Sequence, residues 1–196
     1  MLARLTPKHY ALIGILMIAT TAIILLMMGR EPICKCGVVK FWTWDVNSSD
    51  NSQHISDWYT PSHIIHGMLF YGLFWWMGRF ATGGAGWPMG LRALLSILVE
   101  AAWEVLENSP FIINRYREAT IALDYFGDSV LNSVFDIIWM LFGFWLAAKL
   151  PVWVTIVLII AAELFVGAMI RDNLSLNILM LLYPIDAVRD WQLQGL

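Results

Sequence analysis

PMGLRALLSILVEAAWEVLEN, residues 88–108, and DSVLNSVFDIIWMLFGFWLAA, residues 128–148, decide how this chain is read. Each is long and apolar enough to cross about 30 Å of hydrocarbon as a helix. Yet the first carries Glu100, Glu104 and Glu107 at i, i+4 and i+7, and the second carries Asp128, Asn132 and Asp136 at i, i+4 and i+8. A charge at the bilayer centre costs roughly 2.5–3.5 kcal/mol on insertion scales, so such stripes normally face a bundle interior or a wet cavity. The two segments predict a polar site between membrane helices.

The composition agrees. Of 196 residues, 59% are hydrophobic and 14% charged, against about 25% charged in a soluble domain; this is the composition of an integral membrane protein. Trp75, Trp76, Trp87, Trp145 and Trp153 fall near predicted helix ends, where amphipathic rings sit at headgroup level. The net charge is −3 and the twelve Lys and Arg residues are scattered. No basic stripe exists to neutralise phosphates, so nucleic-acid binding is excluded as a function class. Arg4 and Lys8 precede an apolar run from Tyr10 to Met28. That run is too long for a signal-peptide core and lacks a small-x-small cleavage site, so it reads as an uncleaved span.

Hydropathy places spans near 10–28, 62–78, 88–108, 130–148 and 152–170, with a sixth, shorter run at 174–188 interrupted by Pro184. The expected fold is a single all-α domain, a polytopic transmembrane bundle of five to six spans covering residues 1–196. One long extramembrane loop, 29–61, holds the polar cluster Asn47 to Ser52; a loop of that length is often functional. Val38 to Val46 is rich enough in Val, Trp and Thr to suggest a short strand. Ala81 to Gly90 makes a tight turn, and Leu150-Pro151 a break. Gly143 and Gly167 suggest close helix approach.

Alternating the spans puts loops 29–61, 107–129 and 171–173 on one side, and 79–87, 149–151 and the C-terminus on the other. The first side collects nearly all the polar residues. The second has little beyond Arg79, Arg92, Lys149 and Arg189. Lys plus Arg divides six and six, which leaves the positive-inside rule without a vote. Discounting Arg115, Arg117 and Arg171 as held by site partners puts the N-terminus inside and the polar face in the periplasm.

His63 and His66, at i and i+3 behind Pro61, share one helix face. Two imidazoles with a carboxylate are candidate metal ligands, or one serves as general acid or base. Neither His-Glu-x-x-His nor Glu-x-x-His is present, and the alternative is a hydrogen-bonded pair between helices. Glu100 is the deepest of its stripe. Arg117 would reach over both stripes to pair with a carboxylate or hold an anionic ligand group. The structural alternative is a buried network that fixes helix register. Glu163, Arg171, Asp172 and Asn173 read as bridges between helices. Cys34 and Cys36 are separated by one residue, neither a redox pair nor a complete zinc site; a disulfide that short would be strained, and they read as loop thiols.

The strings SHIIHG (62–67), WEVLENSPFIINRYR (103–117), YFGDSVLNS (125–133) followed by Asp136, and RDNLSLNI (171–178) resemble an uncharacterised family of polytopic bacterial inner-membrane proteins, over about Cys34 to Trp191. That resemblance implies the plasma membrane and no activity. Over about a third of the chain, the order His63 or His66, Glu104 or Glu107, Arg117, Asp128 and Asn132 is similar to VanZ-like membrane proteins associated with glycopeptide resistance. This chain departs from that pattern in having glutamate where glutamine is usual, and in its Cys-Lys-Cys-Gly loop.

The expected site is a polar pocket at one interface built from His63, His66, Glu104, Glu107, Arg117, Asp128, Asn132 and Asp172. The expected partners are membrane lipids and a lipid-linked or envelope ligand. The alternative is an intramembrane hydrolase or transferase acting on a lipid-linked substrate. A carrier would need a path open to both sides, and the bare second side argues against one. The residues leave any cofactor unknown, with His63 and His66 the candidate ligands of a metal.

Overall fold

The computed structural model describes residues 5–120 and 124–194; Arg4 lies outside them. Among the described residues there are eight α-helices and no strand: α1 Pro7–Met27, α2 Thr60–Ala81, α3 Met89–Glu107, α4 Pro110–Ala119, α5 Val130–Lys149, α6 Val152–Ile170, α7 Leu174–Leu182 and α8 Asp186–Leu193. Three of them, α1, α5 and α6, are long and apolar enough to cross a membrane. The expected strand at Val38 to Val46 does not form. Two isolated bonds, Thr43 N–H to Ser56 O and Ile55 N–H to Lys40 O, tie that stretch to the far end of its loop instead.

Prolines and short polar caps set the helix starts. Pro7, Pro61 and Pro110 sit in first turns, where the missing N–H costs nothing. Ser109, Ser129 and Asn173 each accept a backbone N–H three residues on. Glu163 adds to the last of these caps, because its carboxylate takes the Leu174 and Ser175 N–H groups across the α6–α7 corner.

The most extensive helix contact is between α2 and α5, and two glycines make it possible. A Cβ on Gly67 would lie 1.8 Å from Met140 O, and one on Gly143 would lie 1.9 Å from Ile64 O. The backbones touch there, as small residues allow in membrane helices. Beside this seam, Ile97 and Ala101 of α3 pack with Ile137 and Met140 of α5 into the apolar core. Helix α1 closes the back of α3, with the Tyr10 ring lying over Gly90. Nearly all of α6 is uncovered, including Val152, Trp153, Ile156, Ile160 and Leu164. An apolar belt of that extent suits lipid rather than water.

The last candidate span is overturned. The run at 174–188 splits at Tyr183-Pro184-Ile185 into α7 and α8, and nine residues of helix reach only about 13 Å. The chain then doubles back, so that Gln192 Nε2 donates to Arg171 O at 2.9 Å and lies 3.2 Å from Asp172 Oδ1. The C-terminal segment therefore ends beside the start of α7, not on the opposite side as the alternation of spans had it.

Loop 29–61 is packed rather than free. Gln53, His54, Ser56 and Asp57 are buried, and the segment lies along the mouth of α5. Ser129 N–H donates to Ser52 O, Ser129 Oγ to Gln53 O, Asn132 Nδ2 to His54 O and Trp139 Nε1 to Ile55 O. Cys34 and Cys36, expected as loop thiols, are paired as a disulfide. Gly37 follows with φ +74°, a conformation open to glycine, and its N–H donates to Cys34 O to close the turn after the disulfide.

Arginines fasten this end of the bundle by a repeated device. Arg30 donates to Phe126 O, Arg115 to Leu181 O, Arg117 to Tyr125 O, Arg171 to Trp191 O and Arg189 to Glu118 O. Each ties a loop or short helix to a backbone carbonyl that no helix ladder would otherwise satisfy.

Candidate functional site

Helices α2, α3 and α5 bring their polar stripes to one place. Glu100, one turn below Glu104, is fully buried. Its Oε1 lies 2.6 Å from His63 Nδ1, and both its oxygens lie 3.1 Å from His66 Nδ1. One carboxylate thus faces both histidines, whose rings stand edge to face. Above it, Glu104 Oε1 is 3.8 Å from His63 Nδ1, and on the far side His63 Nε2 is 3.8 Å from Asp136 Oδ1. Both Glu104 oxygens are buried without a hydrogen-bond partner among the described residues.

The outer layer is made by the caps and loops. Asn108 clamps Asp128 from both ends, its Nδ2 donating to Oδ2 at 2.9 Å and its Oδ1 accepting the Asp128 N–H at 2.8 Å. Tyr125 OH donates to Asp128 Oδ1 at 2.9 Å. Tyr116 OH lies 2.7 Å from Glu107 Oε1 and 3.1 Å from Asn177 Oδ1. Asp57 receives the Ser52 and Tyr59 N–H groups, and Tyr59 OH donates to Asp172 Oδ2.

Burial dominates the electrostatics of this layer. It raises Asp128 to about 6, against the hydrogen bonds of Tyr125 and Asn108 that favour the charge. It raises Asp172 to about 6, against the Asn173 N–H and the Tyr59 hydroxyl. Burial first, and then neighbouring carboxylates, hold Tyr59, Tyr116 and Tyr125 well above the usual phenol value. All three phenols therefore stay protonated and available as donors.

Between the layers lies a cavity of about 390 Å3. Asp57, Tyr59, His63, His66, Glu100, Glu107, Tyr116, Tyr125, Asp128, Asn132 and Asp136 line its polar part. Leu69, Phe70, Val99, Trp103, Leu174, Ile178 and Leu181 line the rest, between α2, α3 and α7. The cavity is polar at the capped end and apolar along its flank.

Of the residues expected from sequence, His63, His66, Glu107, Asp128 and Asn132 line this space, and Glu104 is buried beside it between His63 and Asp136. Two stand elsewhere. Arg117 is exposed and holds the Tyr125 carbonyl, so it does not reach over the acidic stripes; the 107–129 connection contains a helix, α4, that carries it away on its outer face. Asp172 is buried behind Tyr59 and supports that phenol from outside the cavity. The sequence reading missed Tyr59, Tyr116, Tyr125, Asn108 and Asn177. Tyr116 and Tyr125 lie within strings already singled out, and a phenol beside charged loop residues was the available signal.

Four groups of side chains have ligand atoms mutually within 4.8 Å: Cys34, Cys36, Asp50 and His54 in the loop; His63, His66 and Glu100; His63, Glu104 and Asp136; and Glu104, Glu107 and Asp128. In the loop group the sulfurs are joined to each other, and His54 Nδ1 accepts the Lys40 N–H. Neither sulfur there is free to ligate.

A family profile described as "Protein of unknown function (DUF2585)" matches residues 25–194. The chain is similar to a UPF0314 protein of Sinorhizobium fredii, 60% identical over 85% of this chain and 81% of that one. It is similar to UPF0314 proteins of Paracoccus denitrificans, 53% identical over 90% and 89%, and of Sphingopyxis alaskensis, 51% identical over 94% and 95%. None of these three relatives is described as VanZ-like. No solved structure matches the chain.

Proposed function

We propose that this chain, which belongs to the DUF2585 family of UPF0314 proteins, is a multi-pass protein of the bacterial inner membrane that binds a lipid-linked or other amphipathic envelope ligand in its one-sided pocket. The observation that carries this reading is the division of the cavity, with carboxylates, phenols and imidazoles at the capped end and an apolar flank between α2, α3 and α7. A head group would sit at the first and an acyl or prenyl chain along the second. No Lys or Arg lines the cavity among the described residues. The head therefore presents hydroxyls, amides or an amine, and the role first given to Arg117, holding an anionic group, is dropped.

Helices α2 and α3 complete a bundle of five spans in this reading. Their 22 and 19 residues reach about 33 and 28 Å, and their polar groups turn inward onto one another. The pocket opens to the periplasm. The Cys34–Cys36 disulfide lies in the loop that covers the pocket mouth, and disulfides persist in oxidising compartments. The arginines on this side count little toward orientation, because Arg30, Arg115, Arg117, Arg171 and Arg189 are all held by backbone carbonyls.

Native mass spectrometry of the detergent-extracted protein tests the ligand. A lipid-mass adduct should be retained by the unaltered chain and reduced at least tenfold by Ile178→Trp, which fills the apolar flank. Retention unchanged in that variant, or no adduct at all, would refute the reading.

One observation favours the second reading, a hydrolase or transferase on a lipid-linked substrate. His63 is oriented through Nδ1 by Glu100, which leaves Nε2 facing the cavity side as a general base. Turnover of envelope lipids that is lost in His63→Gln with binding retained would select it.

A further inference from the structure

Glu104 belongs at once to two clusters of ligand-type side chains. Its carboxylate groups with His63 and Asp136, and separately with Glu107 and Asp128, with ligand atoms within 4.8 Å of one another inside each group. We infer that these residues form a dinuclear site for first-row divalent cations, in which Glu104 bridges the two ions. The proposal does not rest on the lipid-binding reading, although the two share His63, Glu107, Asp128 and Asp136 at the polar end of the cavity.

An acidic cluster alone would not carry this. The further observation is that Glu104, with no exposed surface, leaves both oxygens without a hydrogen-bond partner among the described residues. Three of its neighbouring acids have donors: Glu100 has the two histidines, Glu107 has Tyr116, and Asp128 has Tyr125 and Asn108. A buried carboxylate with no donor is costly. Two cations, one against each oxygen, would satisfy it.

The surrounding bonds have the form of a metal site's supporting layer. Glu100 accepts from His63 Nδ1 at 2.6 Å, which fixes the tautomer with its proton on that nitrogen and leaves the Nε2 lone pair directed toward Asp136, 3.8 Å away. A carboxylate behind a histidine is the usual way to aim an imidazole at a metal. Tyr116, Tyr125 and Asn108 orient Glu107 and Asp128 in the same manner. One imidazole among carboxylates suits Mn2+, Fe2+ or Zn2+ better than Cu+, which prefers sulfur. Charge balance points the same way, since among the described residues no Lys or Arg lines the cavity to offset the carboxylates gathered there.

The test uses the full chain in detergent with Cys34 and Cys36 changed to Ser, stripped with a chelator, reloaded with Mn2+ or Zn2+ separately, desalted and measured by elemental analysis. Two equivalents per chain are expected, about one in Asp136→Asn and in Asp128→Asn, and less than a tenth of one in Glu104→Gln. Mn2+ electron paramagnetic resonance should give an exchange-coupled pair in the parent and an isolated-ion signal in Asp136→Asn. Should Glu104→Gln fail to elute as a single species, the two aspartate variants carry the decision. Less than a fifth of an equivalent of either metal in the folded parent, or equal loading of parent and variants by surface-bound ions, overturns the proposal.

Discussion

His63 Nδ1 lies 2.6 Å from Glu100 Oε1, and both residues are buried where α2 and α3 cross. They are 37 residues apart in sequence, and the contact joins the histidine stripe to the carboxylate stripe. It also makes Glu100 the common partner against which both imidazoles are held.

Removing that support should be expensive. Glu100→Ala leaves the buried His63 and the half-buried His66 without their shared partner and should cost about 3–5 kcal/mol. Glu100→Gln keeps one acceptor oxygen and should cost clearly less. Thermal unfolding of the two variants in one detergent reads the difference, and equal losses would show that the hydrogen bonds contribute nothing beyond packing.

The α2–α5 seam gives a comparison within one helix. Gly67→Ala and Gly143→Ala push a methyl into backbone carbonyls and should cost at least about 1–3 kcal/mol, because helix backbones cannot yield as side chains do. Gly72→Ala, also in α2 but with nothing within 4 Å, should be neutral or stabilise by up to about 1 kcal/mol. Denaturation midpoints of the three variants order the sites.

Loop 29–61 should loosen when its tie to α5 is cut. Trp139→Phe removes the donor to Ile55 O while keeping an aromatic ring against Phe41. The loss should be about 1 kcal/mol, and it should appear locally as faster proteolysis within residues 44–56 with little change in the global unfolding midpoint.

Stability should fall as pH rises through the weakly acidic range. Asp172 holds its proton up to about 6 in the folded chain against 3.8 for a free aspartate, so folding takes up a proton between these values. Its contribution is complete below about pH 4, is lost progressively toward pH 6 and is flat above, with a span of about 3 kcal/mol at most. Asp172→Asn cannot ionise, and its unfolding temperature should vary less between pH 4 and 6.5 than that of the parent, both measured with chelator present.

Topology follows from Gln192 lying against Arg171 and Asp172. A C-terminal reporter should be active on the same side as a reporter placed in loop 29–61. Maleimide added to intact spheroplasts should label Cys34 and Cys36 only after reduction. Reporters on opposite sides would mean that 174–188 crosses the membrane after all.

The helices that hold the site were legible because long, mostly apolar runs make their code simple. Apolar runs set their existence, and glutamates at i, i+4 and i+7 with Asp128, Asn132 and Asp136 marked the inward faces before any coordinates. What lay outside the apolar runs carried no such constraint. Arg117 was assigned to the pocket by charge, yet α4 turns it onto a carbonyl, and Tyr116 on the same helix goes inward. The 174–188 segment is apolar enough to suggest a span, but Pro184 and the Glu163 cap fold it back as a hairpin.

The sequence by itself determined that this chain is helical, that it carries helices long and apolar enough to cross a membrane, and that its acids recur at helical spacing, since each of those follows from local hydropathy and spacing. Only the tertiary structure decided which acid meets which histidine, that Glu104 is left without a donor, and that loop and C-terminus close over the same end. Those are contacts between segments tens of residues apart, set by where backbones can approach, and periodicity along one helix does not encode them.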